Sequence, residues 1–366
     1  MQACHRLRIW ALVALLGAGN THAALIFNFT TSTGDAQADA AFAAAAQRWS
    51  NLLTDNVTVN VAIGYKLLDP GFLGFTTTEK ANYDYTDVRA ALVGDAKSTD
   101  DATAIGGLQA APAIKLLTNR SSSSPNGSGS AIPYVDSGAD ANNTSLFITN
   151  ANAKALGLLP ATNAALDGSI EFSTAFTFDF NPLDGITAGA HDFVGVATHE
   201  IGHLLGFISG DDALDFFSQP VNDGPYDVNA FADNSILDLY RYSAESFALG
   251  VVDWTADTRA KYFSLDGGVT NLYLFSTRSF FGDGNEAGHW KDGQGIGIMD
   301  PTAAQGELLA ITARDVQAFD VIGWDLKGSA VPEPGTLALG FLGVAALAAG
   351  RRRRAIESGR AIEVRV

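Results

Sequence analysis

Two histidines four residues apart in a segment of helical period, His199-Glu200-Ile201-Gly202-His203, restrict this chain more than any other stretch of it. The residues from Asp192 to Leu205 place Val196, Ile201, Leu204 and Leu205 at helical spacing, and Gly206 stands where a left-handed residue ends a helix. On such a helix His199 and His203 share a face and reach one small ion, with Glu200 projecting beside them. Paired imidazoles bind Zn²⁺, which takes a third protein ligand and keeps one position open for water. The ion brings the pKa of that water to about 7, and a neighbouring carboxylate can take its proton. The spacing therefore predicts zinc as cofactor, His199 and His203 as ligands, and Glu200 as the general base of a hydrolytic reaction. A helix with two surface histidines is the plain alternative. With 6 His in 366 residues, random placement gives the motif on the order of a few times per thousand chains.

Candidates for a third ligand come from an inventory. His5 and His22 lie in an N-terminal segment expected to be removed, which leaves His191, His199, His203 and His289. His191 is eight residues before His199, about 12 Å along a helix axis and too far for a shared ion; it reads as a helix-start residue. His289 lies in Ala287-Gly288-His289-Trp290-Lys291, ten residues before Met299. Glu245 stays open as another third ligand.

Residues 1–23 read as a signal peptide: a basic start (His5, Arg6, Arg8), an apolar run from Ile9 to Gly17, and Thr21-His22-Ala23 with small residues at the cleavage positions. The single cysteine, Cys4, falls inside it, so the remaining chain has neither a disulfide nor a thiolate metal site. The net charge of −17 argues against nucleic acid as a partner, because a phosphate backbone needs a basic face. At the other end, within 329–366, Val331-Pro332-Glu333-Pro334-Gly335 precedes an apolar stretch, Thr336 to Ala349, and then Arg351-Arg352-Arg353-Arg354. That stretch is short for a bilayer span of about 20 residues. The arginines would stay cytoplasmic. The order resembles the PEP-CTERM sorting signal of Gram-negative bacteria, although twelve residues follow Arg354. The resemblance implies a transient membrane anchor, cleavage near Pro332 by an exosortase, and delivery to the cell surface, the extracellular matrix or the medium. A permanent single-pass anchor is the alternative.

Between the ends, 24–328 reads as one catalytic domain. Leu25–Phe29 is an expected strand, Ala36–Leu53 a helix burying Phe42, Ala46, Trp49 and Leu53, and Val57–Ile63 a second strand, an order that leaves no space for a long propeptide. Ser169–Ser173 and Phe176–Phe180 are later strand candidates. Residues 120–132, rich in Ser and Gly, read as a flexible surface loop.

From His289 through Met299 to Thr312–Asp315 and Gly323-Trp324, together with 191–207, the chain resembles leishmanolysin-like metzincins, in which an insertion separates the helix glycine from the third histidine. It is similar also to the exported PEP-CTERM metalloproteases of bacteria. The resemblance implies an α+β zincin fold with a twisted mixed β-sheet, two helices in the upper half including the active-site helix, and a smaller C-terminal subdomain. It implies an endopeptidase acting on protein or peptide substrates in the cleft between the halves, His289 as third zinc ligand, and Met299 as the apolar base of the site. The chain departs from the pattern in several places. Ser209 stands where most metzincins place the third histidine, with Asp211 two residues late. No tyrosine follows Met299, and the disulfides of leishmanolysin are absent. Within the 208–288 insertion, Asp211-Asp212, Asn222-Asp223-Gly224 and Asp233-Asn234 have the composition of Ca²⁺ ligands and equally of solvated loops. A gluzincin using Glu245, and a non-catalytic surface or matrix protein with a vestigial zinc helix, are the alternative functions.

Overall fold

In the computed structural model, which describes residues 24–222 and 224–328, the chain begins strand, helix, strand: β1 Ile26–Phe29, α1 Ala36–Ser50 and β2 Thr58–Lys66. The expected signal peptide 1–23, the sorting signal 329–366 and Asp223 lie outside the described residues. Asp35 caps α1 by accepting from the backbone of Gln37 and Ala38, and Phe42, Ala46 and Trp49 form its buried stripe. The helix stops at Ser50, short of the Leu53 that its period suggests. Leu53 is buried for another reason: it bridges to Leu326, and Thr54 and Lys327 complete the exchange by donating to the Asp325 and Leu52 carbonyls at 2.8 Å.

Two further strands complete a four-stranded mixed sheet, β3 Gly74–Thr78 and β4 Gly168–Ser173, in the order β1-β2-β4-β3. β1, β2 and β4 run parallel; β3 is antiparallel to β4 on the edge, with Thr76 opposite Ile170. The sequence gives no warning of β3, whose exposure alternates only between half-buried and exposed. Of the 176–180 candidate, Phe178–Asp179 alone forms a strand, pairing with His191–Asp192.

Against this sheet packs α2, Phe193–Leu204. Asp192 caps it by accepting from Gly195, so the helix-start role expected of His191 belongs to its neighbour. An aromatic cluster fills the interface, with Phe172 and Phe193 rings tilted 4.2 Å apart and Phe42 edge-on 5.2 Å from Phe172. Gly168 lets α2 approach: a Cβ there would lie 2.3 Å from the Thr77 carbonyl oxygen and 2.6 Å from Leu204. α1 crosses α2, and the Trp49 indole donates to the Thr198 carbonyl at 2.9 Å.

The architecture is α+β, with four small sheets besides the main one among the described residues, more than the single sheet and two helices expected. Residues 208–288 are built rather than loose. They contain helices Asp211–Phe217 and Ala244–Leu249, an antiparallel sheet of 241–242, 261–263 and 273–275, and a strand Val252–Trp254 that joins Leu116–Thr118 in parallel. The Ser/Gly run 120–132 is also better ordered than its composition suggests. Ser121 is fully buried and bonds the Tyr134 hydroxyl, and Arg120 reaches the Ala256 carbonyl. The last helix among the described residues, α3 Ala313–Val321, begins with a Thr312/Asp315 capping box. Its Phe319 and Ile322 are buried and Val316 is half-buried, and Trp324 just beyond it donates to the Leu205 carbonyl at 2.8 Å.

Candidate metal centre

One turn apart on α2, His199 and His203 meet His289 from the far side of the insertion. Their Nε2 atoms stand 3.0 Å (199–203), 3.1 Å (203–289) and 3.2 Å (199–289) apart. The opposite ring nitrogens are all engaged. Nδ1 of His199 donates to the Ile298 carbonyl at 2.7 Å, that of His203 to Phe207 at 2.7 Å, and that of His289 to Glu286 at 3.2 Å. A carbonyl only accepts, so each ring carries its proton on Nδ1 and turns a lone pair inward. Burial holds all three imidazoles below their ordinary range, His203 to about 3, so they are neutral at pH 7. Three lone pairs facing one another repel, and a cation between them relieves this. Zinc–nitrogen bonds of about 2.0–2.1 Å in a tetrahedral site separate the nitrogens by about 3.3 Å, close to the triangle observed. The donor set fits zinc. Among the described residues it is the only group of histidine, cysteine and carboxylate side chains gathered closely enough to hold a metal ion.

Glu200 is buried beside the triangle, and burial raises its carboxyl to about 7 against the opposing pull of a hydrogen bond from Thr76. Thr76 Oγ1 donates to Glu200 Oε2 at 2.6 Å. No sequence pattern marks Thr76; it reaches the site because β3 is the strand laid over α2.

Met299 lies beneath, fully buried, against Gly202 between the two helix histidines. Its turn is held by one carboxylate. Asp315 accepts from the backbone of Ile298 (2.9 Å), Met299 (3.3 Å) and Thr312 (2.7 Å) and from the Trp290 indole (2.9 Å). Gly297, at φ +145°, is required where it stands, since a Cβ would fall 2.1 Å from Asp315 Oδ2. Asp315 therefore positions the Met299 turn and, through Trp290, the neighbour of His289.

The Asp-rich start of the insertion fixes the other side of His289. Asp212 accepts from the backbone of Ala287 and Gly288, and Asp215 from Phe280 and Phe281. Asp211 is buried between Arg241 and Arg278. Asp211-Asp212 is therefore not a solvated loop: Asp212 takes backbone donors and Asp211 lies buried between two guanidinium groups. At Asp233-Asn234, the Asn234 amide donates to the Asn142 carbonyl. Ser209 donates to Asp238, away from any ligand role. Glu245 begins a short helix, half-exposed and paired with Arg259, and the structure does not bring it to the histidines. His191 does reach the site region, bonded to the Ala303 carbonyl at 2.9 Å, as cleft lining.

The cleft above the histidines has a volume of about 790 Å³. β3 forms one wall, and residues 284–289 and 300–303 form the other. Among the described residues no helix is long and apolar enough to cross a membrane.

Residues 330–354 match the PEP-CTERM protein-sorting motif. A PEP-CTERM segment belongs to exported proteins, is recognised by exosortase, and directs sorting to the cell surface through a membrane anchor. It covers the C-terminal tail and says nothing of the metal centre. Neither a curated protein nor a solved structure matches the chain.

Proposed function

We propose that this exported protein is a zinc-dependent endopeptidase of the metzincin type, resembling leishmanolysin-like enzymes in plan. The convergence of the three Nε2 atoms, each with its proton locked on the opposite nitrogen, carries the reading. When bound, zinc supplies a Lewis acid for the scissile carbonyl and an acidified water. Glu200 takes the proton of the attacking water and delivers it to the leaving amine. Thr76 holds one carboxylate oxygen and leaves Oε1 free for that transfer. The substrate lies extended along β3, the edge strand, and adds to the sheet. Phe176, Val196 and Leu309 offer apolar side-chain contacts in the cleft.

The sorting step belongs to the same reading. An exosortase cuts near Pro332, so the surface form ends by about Pro334. Mass spectrometry of the exported protein tests this, and peptides from 336–366 would establish a permanent anchor instead. The activity is tested on purified protein by zinc content and casein hydrolysis. One zinc per chain with chelator-sensitive hydrolysis is expected. A zinc-loaded protein that cleaves no peptide would leave a non-catalytic surface protein as the better description.

A further inference from the structure

A second group of converging oxygens lies outside the cleft, in the segment Asp136-Ser137-Gly138-Ala139-Asp140-Ala141-Asn142-Asn143. A Cβ placed on Gly138 would lie 2.8 Å from Asp140 Oδ2, 3.2 Å from Asn143 Oδ1 and 3.4 Å from Asp136 Oδ1, so three acceptors surround one point. Asn143 is fully buried, and its amide orientation is fixed because Nδ2 donates to the Ile114 carbonyl at 2.9 Å. Its Oδ1 therefore faces the two carboxylates, and it has no hydrogen-bond partner. The same holds one residue earlier: buried Asn142 uses Nδ2 on Asp136 Oδ2 at 2.6 Å and leaves its own Oδ1 unpartnered. The one donor to Asp136 Oδ1 is the Gly138 amide at 3.1 Å. A buried acceptor without a donor is costly, and here it points at two carboxylates.

We infer that residues 136–143 form a binding site for a hard divalent cation of the Ca²⁺ class, with Asp136, Asp140 and Asn143 as ligands. Carboxylate and amide oxygens without nitrogen or sulfur are the donor set of calcium rather than zinc. Asp140 and Gly138 are exposed, which gives the ion an entry path and room for waters to complete its shell. The site lies where three parts of the fold join. Asn143 takes the Ile114 amide on its carbonyl, Asn142 takes the Asn234 side chain, and Asn234 takes the Phe147 amide. A bound cation thus ties the insertion to the sheet side of the molecule, away from the histidines and independently of the peptidase reading.

The test is calorimetric titration of the purified full chain with CaCl₂, alongside thermal unfolding with calcium or with chelator. One calcium per chain and an unfolding midpoint raised by about 5 °C are expected. Asp140→Ala, which removes an exposed side chain with no hydrogen bond in the fold, weakens calcium binding at least about tenfold. Gly138→Ala, which changes no charge but puts a methyl among the three oxygens, does the same. Zinc content is unchanged in both. Absence of calcium binding by the wild type, or undiminished affinity in Asp140→Ala and Gly138→Ala, would overturn the assignment.

Discussion

Gly202 and Met299 touch so closely that a Cβ on the glycine would sit 2.4 Å from the methionine sulfur and 3.1 Å from its methyl group. The helix that carries two histidines can rest on the Met299 turn only because residue 202 has no side chain. Met299 is fully buried, so it has little space into which to yield. Gly202→Ala is expected to cost about 1–3 kcal/mol of stability, the usual price of overpacking, and to weaken zinc retention by tilting α2. Denaturant unfolding and zinc competition with a chelator check both. Unchanged zinc affinity would separate the turn from the metal centre.

His289→Ala and His203→Ala are each expected to lose stoichiometric zinc, whereas His191→Ala keeps it. The Nε2 atoms of His199, His203 and His289 converge, and His191 instead bonds Ala303. Elemental analysis of the purified variants decides. Full zinc occupancy in His289→Ala would reject the three-histidine site.

Glu200→Gln keeps the side chain's size but cannot accept a proton, so zinc and fold should persist while kcat/KM falls by about 10²–10⁴. Burial raises the carboxyl above its ordinary range, so activity should climb as pH rises and Glu200 gives up its proton. The Thr76 hydrogen bond lowers that pKa, so Thr76→Val should move the acid limb to higher pH with zinc still bound. An unmoved limb would mean that Glu200 is not the group titrating.

Stability should also depend on pH through carboxyls far from the cleft. Asp55 is pushed up to about 7 by burial and then by the charge of Asp325; Asp320 also reaches about 7, by burial and then by its acidic neighbours, and Asp95 about 6. Folded, each holds its proton more tightly than the unfolded chain does. Their contribution is therefore complete below about pH 4 and is lost as pH rises through 6–7. The buried histidines act in the opposite sense, so the informative quantity is a difference. Asp55→Asn should gain stability relative to wild type between pH 5 and pH 8, read from urea midpoints. A pH-independent difference would refute the raised carboxyl.

Much of the site could be read from residues 191–207 and 289–315, because ligand spacing and helix period are local properties that one stretch of chain displays. His289 could be reached at a distance because only four histidines lie outside the expected signal segment. Thr76 could not, since its position depends on the register between β3 and β4, which no local pattern encodes. Asp315 is visible in sequence as half of a capping box, but its hold on Ile298, Met299 and Trp290 is purely tertiary. Composition misled twice, at 120–132 and at Asp211–Asp215. Residues there such as Ser121, Asp212 and Asp215 bond protein partners, and Asp211 faces two arginines, which only the folded contacts reveal.

Because synthesis runs N-terminus first, the pairing of residues 52–54 with 325–327 sets an order of events. α1 has emerged long before Asp325 and Leu326 arrive to close against its end. Until residue 315 follows, Trp290 and Met299 lack the Asp315 carboxylate that holds them, and the segment bearing His289 is not anchored. The three histidines are thus brought together only late in synthesis. The fold closes once residue 327 has emerged, three residues before the stretch that matches the sorting motif.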